Sequence, residues 1–504
     1  MLSMHSMKHQ AGGASGGPDA APPAPVAGPV AVSGRVPLAV DLDGTLVCSD
    51  LLLESALIAT RRRPSLLLQL PGWLLHGRAA LKQQLAREGL PDAHSLPYRQ
   101  DLLEYLREQK RLGRRIVLVT AADRRVAEAV SAETGLFDAV YASDGHSNLA
   151  GKCKRDRLTQ LFGPAGFDYI GNSRRDLPVW QAAHAALIAG AHRGLRRAIE
   201  KTRPVERVFS AGDGTWRDVL RQLRPHQWLK NLLVFLPLLG AHRLVDPELL
   251  PRALLAFVAF TLCASGVYVL NDLLDLPTDR RHPHKRLRPL ASGRVPIRGA
   301  LGLLGMLLLG AILVGLQLPG YFLPVLAAYF VTTLAYSMGL KDHAVLDVLI
   351  LAGGYAARVA AGSVAVGIAP SAWLLAFCMF LFFSLALVKR FAELVALRPA
   401  ANGKAHARGY VLDDAGVVAA QGIASGYIGV LVLALYTNSA MVQAIHGRYW
   451  VFWGICLLLW CWISHLWLMA DRGLIADDPV VFALRNGSSR VLLLGIVALS
   501  LVAI

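Results

Sequence analysis

Beyond Arg217 the sequence runs as apolar segments separated by loops, and about nine of them approach the roughly 20 residues that a helix needs to cross a bilayer. They lie near 228–245, 249–270, 298–318, 320–338, 345–366, 370–388, 415–437, 449–470 and 490–504, the last being short. With 54% hydrophobic and 17% charged residues, a chain of 504 residues is too apolar for one soluble domain and long enough for two or three. A lipid bilayer is therefore its expected environment. The net charge of +17 does not point to nucleic acid, because the basic residues collect at the ends of apolar runs, where they meet anionic headgroups or phosphorylated substrates. Loops after the second, fourth and sixth segments hold Arg280, Arg281, Lys285, Arg286, Arg288, Lys341, Lys389, Arg390, Lys404 and Arg408. By the positive-inside rule these loops are expected to be cytoplasmic, at the inner membrane if the source is bacterial. The six cysteines are scattered, with no CxxC and no zinc-finger spacing, so neither a disulfide framework nor a zinc site is indicated.

The first part of the chain has a different character. Residues 1–34 are rich in Gly, Ala and Pro and read as a disordered tail. No continuous apolar stretch follows a basic start there, so no signal peptide is expected and the next domain is placed in the cytoplasm. Across 35–191, short apolar runs (Pro37 to Val40, Ile116 to Val119, Phe167 to Ile170) alternate with charged helical stretches. That is the pattern of a Rossmann-like α/β domain whose parallel strands are buried on both faces. The long segment from Asp50 to Arg114 reads as a small helical cap over the strand ends. Its run from Leu66 to Leu75, broken by Pro71 and Gly72, is too short to span and is expected to pack on the domain or lie at the membrane surface. Residues 192–216 read as a polar linker and 217–504 as the membrane domain.

The densest chemistry is N-D-L-L-D-L-P-T-D-R, with Asn271, Asp272, Asp275, Asp279 and Arg280, followed at once by a basic run containing Lys285, Arg286 and Arg288. Acids at this spacing fall on nearly one face of a helix end, where they repel unless a cation sits between them. Mg²⁺ prefers such hard oxygen ligands and shares them with substrate phosphates. The basic residues can then neutralise a departing diphosphate. A plain helix cap explains one Asp with one Arg, and not the whole string. The motif resembles the first aspartate-rich motif of the UbiA superfamily of prenyltransferases, over Arg217 to the C-terminus. The resemblance implies about nine membrane helices around a polar cavity, with Asn271, Asp272, Asp275 and Asp279 holding a diphosphate donor through Mg²⁺.

The second half departs from the usual pattern of that family. Where aromatic-acceptor members carry a second Asp-rich motif, this chain has K-R-F-A-E-L, with Lys389, Arg390 and Glu393. Together with R-P-H-Q-W-L-K-N, Y-S-M-G-L-K and D-V-L-I-L-A-G-G-Y-A-A-R, this is similar to the decaprenyl-phosphate phosphoribosyltransferase branch. That branch moves 5-phosphoribose from phosphoribosyl diphosphate to a polyprenyl phosphate. A phosphate nucleophile and a donor with an extra phosphate both call for cations, and Lys230, Lys341, Arg358, Lys389 and Arg390 are the candidates. A lipid-headgroup contact is the competing role for each of them. Arg358 stands apart because it lies inside an apolar helix, where an ionisable residue is costly and a functional candidate by default.

A second constellation, V-D-L-D-G-T-L-V, places Asp41 and Asp43 at the end of an apolar run. It resembles the first motif of the haloacid dehalogenase superfamily, over about 36–191. In such a site the first Asp attacks phosphorus, the second protonates the leaving group, and Mg²⁺ offsets the charge. Thr120, Lys154 (with Lys152 as a rival) and Asp176 follow in that family's order, and Asn172 stands where an acid is common. The resemblance implies catalytic Asp41, Asp43, Thr120 and Lys154, with Mg²⁺ on Asp41, Asp43 and Asp176. The expected function is phosphoribosyl transfer to a polyprenyl phosphate with dephosphorylation of the product. Competing readings are a prenyltransferase with an aromatic or other small acceptor, a transporter with a regulatory domain, and a catalytically idle soluble domain that only anchors or recruits.

Overall fold

The computed structural model describes residues 35–190, 193–209, 214–241, 243–369, 371–397, 406–407, 409–439, 448, 450–475 and 478–503. The tail at 1–34, and Lys404 and Arg408 among the loop cations, lie outside the described residues.

The soluble domain is built on six parallel strands: β1 (Leu38–Val40), β2 (Ile116–Asp123), β3 (Ala139–Ser143), β4 (Asp168–Gly171), β5 (Ala186–Ala189) and β6 (Val205–Phe209). Their order across the sheet is β3-β2-β1-β4-β5-β6. The chain therefore moves outward from β1 in one direction and returns to its other side at β4. A crevice opens at the carboxyl ends of strands where the order reverses in this way, and that places Asp41 at its centre. The residues of β1, β4 and β5 are all buried, as the continuous apolar runs require.

The stretch read as a linker is only in part a linker. Helix Arg193–Glu200 sends Leu195 and Ile199, one turn apart, into the core under the sheet, and β6 pairs with β5. Flanking arginines mask this short apolar pattern. Residues 50–114 form the expected helical insertion, with α1 (Leu51–Arg62), a 3₁₀ turn (Pro64–Leu68), a short helix (Leu70–Leu75) and α2 (Arg78–Glu88). The following helix, Gln100–Arg111, instead packs Leu102, Leu103 and Leu106 into the main core.

Beyond it the chain is helical. Six helices are long and apolar enough to span: α3 (Leu249–Leu274), then after the short α4 (Leu276–Arg281) come α5 (Ile297–Gly315), α7 (Leu346–Val366), α8 (Ala372–Leu397), α9 (Ala415–Thr437) and α10 (Val451–Asp471). Helix α6 (Phe322–Met338) is shorter, and α11 (Pro479–Arg485) with α12 (Gly487–Ala503) forms a pair bent by 91° that makes at most a seventh span.

The expectation of about nine spans is thus corrected to six or seven among the described residues. The apolar stretch at 228–245 becomes an 11-residue 3₁₀ segment, Pro225–Phe235, and a one-turn helix that begins beside Pro237. Proline resets the chain at both points. This segment packs so closely on α7 that a Cβ at Gly362 would strike the backbone of Val234.

The two domains meet through charge. Arg280 donates to both carboxylate oxygens of Glu54 (2.7 and 2.8 Å) and to the Ala291 carbonyl, with both side chains under 5% exposed. Around this pair lie Arg298–Asp50 (2.6 Å), Arg281–Asp92 (2.8 Å) and Arg61–Asp275 (3.1 Å). Breaking a buried pair by removing one partner costs about 3–5 kcal/mol. Glu54→Ala is expected to lower the thermal midpoint of the detergent-solubilised protein clearly, and Glu54→Ala with Arg280→Ala to recover part of the loss, as a double-mutant cycle would register.

Candidate functional site

In the soluble domain the loop after β1 carries both aspartates. Gly44 takes a left-handed backbone (φ +70°) and packs on Asn172, where any side chain would collide. Lys154, on the helix Lys152–Phe162, reaches Asp41 Oδ1 at 2.6 Å and Asp176 at 3.6 Å, and donates to the Tyr169 hydroxyl at 3.0 Å. Lys152, the rival, is exposed at the start of that helix. Asp176 is anchored by Ser173 and accepts from Tyr169 (3.1 Å). Thr120 Oγ1 accepts from the Ala122 N–H (3.0 Å), and Thr45 donates to Asp41 Oδ2 (3.3 Å).

Asp43 accepts from the Leu51 N–H at 2.9 Å and stands near enough to Asp41 and Lys154 for their charges to act on one another. Burial lifts its pKa to about 7. For Lys154, burial works against the charge, but Asp41 and Asp176 outweigh it and hold the ammonium above its usual range. Two further groups escaped the sequence reading: Tyr169, hidden as a strand residue, and Lys82 of the insertion, which donates to the Ala121 carbonyl (2.5 Å) and Asn148 (2.9 Å). Neither sits in a recognisable motif.

The acidic string of the membrane domain lies where α3 ends and α4 begins. The Asp275 N–H donates to the Asn271 carbonyl and the Asp279 N–H to the Asp275 carbonyl, so the helical path persists across the break at Pro277. Asp272 accepts from Gln222 (2.7 Å), Arg224 (2.5 Å) and Arg288 (3.1 Å), and the same Arg288 nitrogen reaches Asp279 at 2.5 Å. Asp275 turns elsewhere, to Lys341 (2.7 Å) and Arg61 (3.1 Å).

The expected trios of metal-binding carboxylates are therefore not gathered, and no group of three or more His, Cys, Asp or Glu poised for a metal occurs among the described residues. Asp272 and Asp279 do converge on one cation. Two hard carboxylates plus substrate phosphates suit Mg²⁺, so the donor set is compatible with the ion at that pair. Asp41 and Asp176, which share Lys154, offer a similar pair in the soluble domain.

The other predicted cations separate into distinct settings. Lys230 pairs with Asp478 (2.5 Å), and Lys389 is half-buried on α8. Arg358 is buried with no carboxylate partner among the described residues, held by Asn231 (2.8 Å), the Gly354 carbonyl (2.5 Å) and the Tyr329 hydroxyl (3.1 Å), and lies over the rings of Phe260, Tyr329 and Tyr355. Lys285 occupies a 3₁₀ turn, Lys285–Leu287, beside the string.

Two assignments as substrate contacts give way to structural ones. Arg390 is fully buried among Asp347, Glu393 and Tyr336, and Arg280 is consumed by Glu54. Arg224, Gln222, Arg61 and Asp478 were not singled out as site residues. Arg224 holds a left-handed φ of +53°, a strain of order 1–3 kcal/mol, while it reaches Asp272.

Residues 232–486 match the family model described as the UbiA prenyltransferase family, and 38–181 match the haloacid dehalogenase-like hydrolase model. The uncharacterized protein y4nM of Sinorhizobium fredii is 36% identical over 465 residues, 90% of this chain and 88% of that one. Nodulation protein NoeC of Azorhizobium caulinodans is 37% identical over 281 residues, 55% of this chain and 90% of that one. Decaprenyl-phosphate phosphoribosyltransferase of Mycolicibacterium smegmatis is 39% identical over 180 residues, 35% of this chain and 57% of that one.

An Asp43 that stays protonated up to about pH 7 is able to donate a proton below that pH and loses the ability above it. If the soluble domain's site hydrolyses a simple alkyl phosphate, the rate is expected to fall as pH rises through about 7. Hydrolysis of p-nitrophenyl phosphate, whose leaving group needs no proton, is expected to fall less. The two pH profiles, measured on one preparation, check this.

Proposed function

Because the chain belongs to the UbiA prenyltransferase family and carries a haloacid dehalogenase-like hydrolase domain at its N-terminal side, we propose that its membrane domain transfers 5-phosphoribose from phosphoribosyl diphosphate to a polyprenyl phosphate. The observation that carries this reading is the density of cations around the acidic string. Arg224, Arg288, Lys341 and Arg61 between them contact its three aspartates. A site preparing for a diphosphate donor and a phosphate acceptor needs that surplus, whereas an aromatic acceptor brings no phosphate charge to neutralise. The local similarity to decaprenyl-phosphate phosphoribosyltransferases supports the same choice.

Asp272 and Asp279 would hold Mg²⁺, which when bound draws charge onto the diphosphate. Arg288, released from those carboxylates, turns to phosphate oxygens, and Arg224 does the same. The ribosyl C1–O bond breaks with its electron pair leaving on the diphosphate, and an oxygen of the lipid phosphate forms the new bond to C1. No general base is required, because the acceptor is already ionised at neutral pH. Lys230, Lys389 and Arg358 are the cations assigned to the lipid phosphate and the donor's 5-phosphate.

Asp41 then attacks the 5-phosphate of the lipid-linked product, with Asp43 protonating the leaving alcohol and Lys154 balancing charge, and water hydrolyses the resulting aspartyl phosphate to release phosphate and restore Asp41. The soluble domain works on the cytoplasmic side, where the basic loops lie, and the membrane is the inner one if the source is bacterial.

Membranes containing the protein, supplied with Mg²⁺, polyprenyl phosphate and phosphoribosyl diphosphate radiolabelled in the ribose, are expected to transfer label to the lipid phase. Asp272→Ala should reduce this about 100-fold or more. Asp41→Asn should leave the labelled lipid carrying its 5-phosphate. Absence of lipid label, with activity on a prenyl diphosphate and an aromatic acceptor, would replace this reading by ordinary prenyl transfer.

A further inference from the structure

Helix α1 touches both candidate sites. At its start the Leu51 N–H donates to Asp43 Oδ1 at 2.9 Å. About 15 Å along the helix axis, at 1.5 Å per residue, Arg61 approaches Asp275 Oδ1 at 3.1 Å and donates to the Leu274 carbonyl at 2.7 Å. Between them Glu54 is locked to Arg280, so the helix is fixed against the membrane domain on the side that carries the acidic string.

Asp275 thus receives two cations on one oxygen, Lys341 from its own domain at 2.7 Å and Arg61 from the other. Two positive charges on one carboxylate leave a surplus of one, next to the Asp272 and Asp279 pair. The Arg61 and Asp275 side chains keep 30% and 17% of their surface exposed, open enough for a ligand to reach them. A guanidinium's planar fork of N–H donors matches phosphoryl oxygens better than an ammonium does.

We propose that Arg61 of the soluble domain is a substrate-binding residue of the membrane domain's site, where it takes the diphosphate of the donor together with Lys341. This rests on the transferase reading and extends it, because the transferase site is then incomplete without the soluble domain. In the free protein Asp275 holds both cations in place. When diphosphate enters, Arg61 and Lys341 turn from the carboxylate to the phosphoryl oxygens. A structural role, capping the last carbonyls of α3, would leave diphosphate affinity unchanged.

The test uses the full-length protein in nanodiscs with Asp41→Asn, which prevents hydrolysis at the soluble site. Binding of inorganic diphosphate with Mg²⁺ is read from the shift of the thermal midpoint. Asp272→Ala should abolish the shift, assigning it to the membrane domain. Arg61→Ala should weaken affinity about tenfold or more, the scale of one charged hydrogen bond, and Arg61→Lys should recover part of it. Arg281→Ala, which cuts an exposed pair in the same domain interface, should leave it unchanged.

Unaltered affinity in Arg61→Ala, or an equal loss in Arg281→Ala, would overturn the proposal. Should Arg61→Ala unfold, Arg61→Gln removes the charge while keeping a donor for the Leu274 carbonyl and reads the same quantity. Arg61-dependent diphosphate binding in a protein that does not label lipid from phosphoribosyl diphosphate would reject the donor assignment and leave the shared site standing.

Discussion

Neutralising the acidic string is the constraint around which this molecule is arranged. Asp272, Asp275 and Asp279 sit where a spanning helix ends against a second domain, and carboxylates so close together in a partly dry place need cations beside them. The cations come from four separate parts of the chain. Arg224 precedes the helical bundle, Arg288 follows the string, Lys341 follows α6, and Arg61 belongs to the soluble domain. Each is a salt bridge that also fixes where its segment lies.

The same arrangement explains why the two domains meet where they do. The loop from Asp41 to Asp50 runs straight from the soluble site to the interface. Cys48 packs against Gly293, whose positive φ and lack of a side chain permit the approach, and Asp50 pairs with Arg298. Both candidate sites are therefore touched by one helix, α1, at its two ends.

Much of this was legible in order along the chain. The aspartate strings, the parallel-strand pattern of 35–191 and most spanning helices follow from local composition and period. The failures were also local in origin. Residues 192–216 looked polar because Leu195, Ile199 and Val205 are few among arginines, yet their spacing is enough to extend the sheet by β6. The stretch at 228–245 looked like a span because hydropathy does not register Pro237, near which it divides into a 3₁₀ segment and a single helical turn.

The sequence by itself determined the two domain types, since the aspartate strings and the apolar periods around them are local in the chain. Only the tertiary structure decided which charge answers which. Arg280 and Arg390 looked like substrate contacts, yet they are enclosed by Glu54, Asp347 and Glu393. Arg61 carried no signal and stands beside Asp275, 214 residues away in the chain. Pairing of charges depends on distance and dielectric in three dimensions, and residues far apart in sequence reveal neither until the chain has folded.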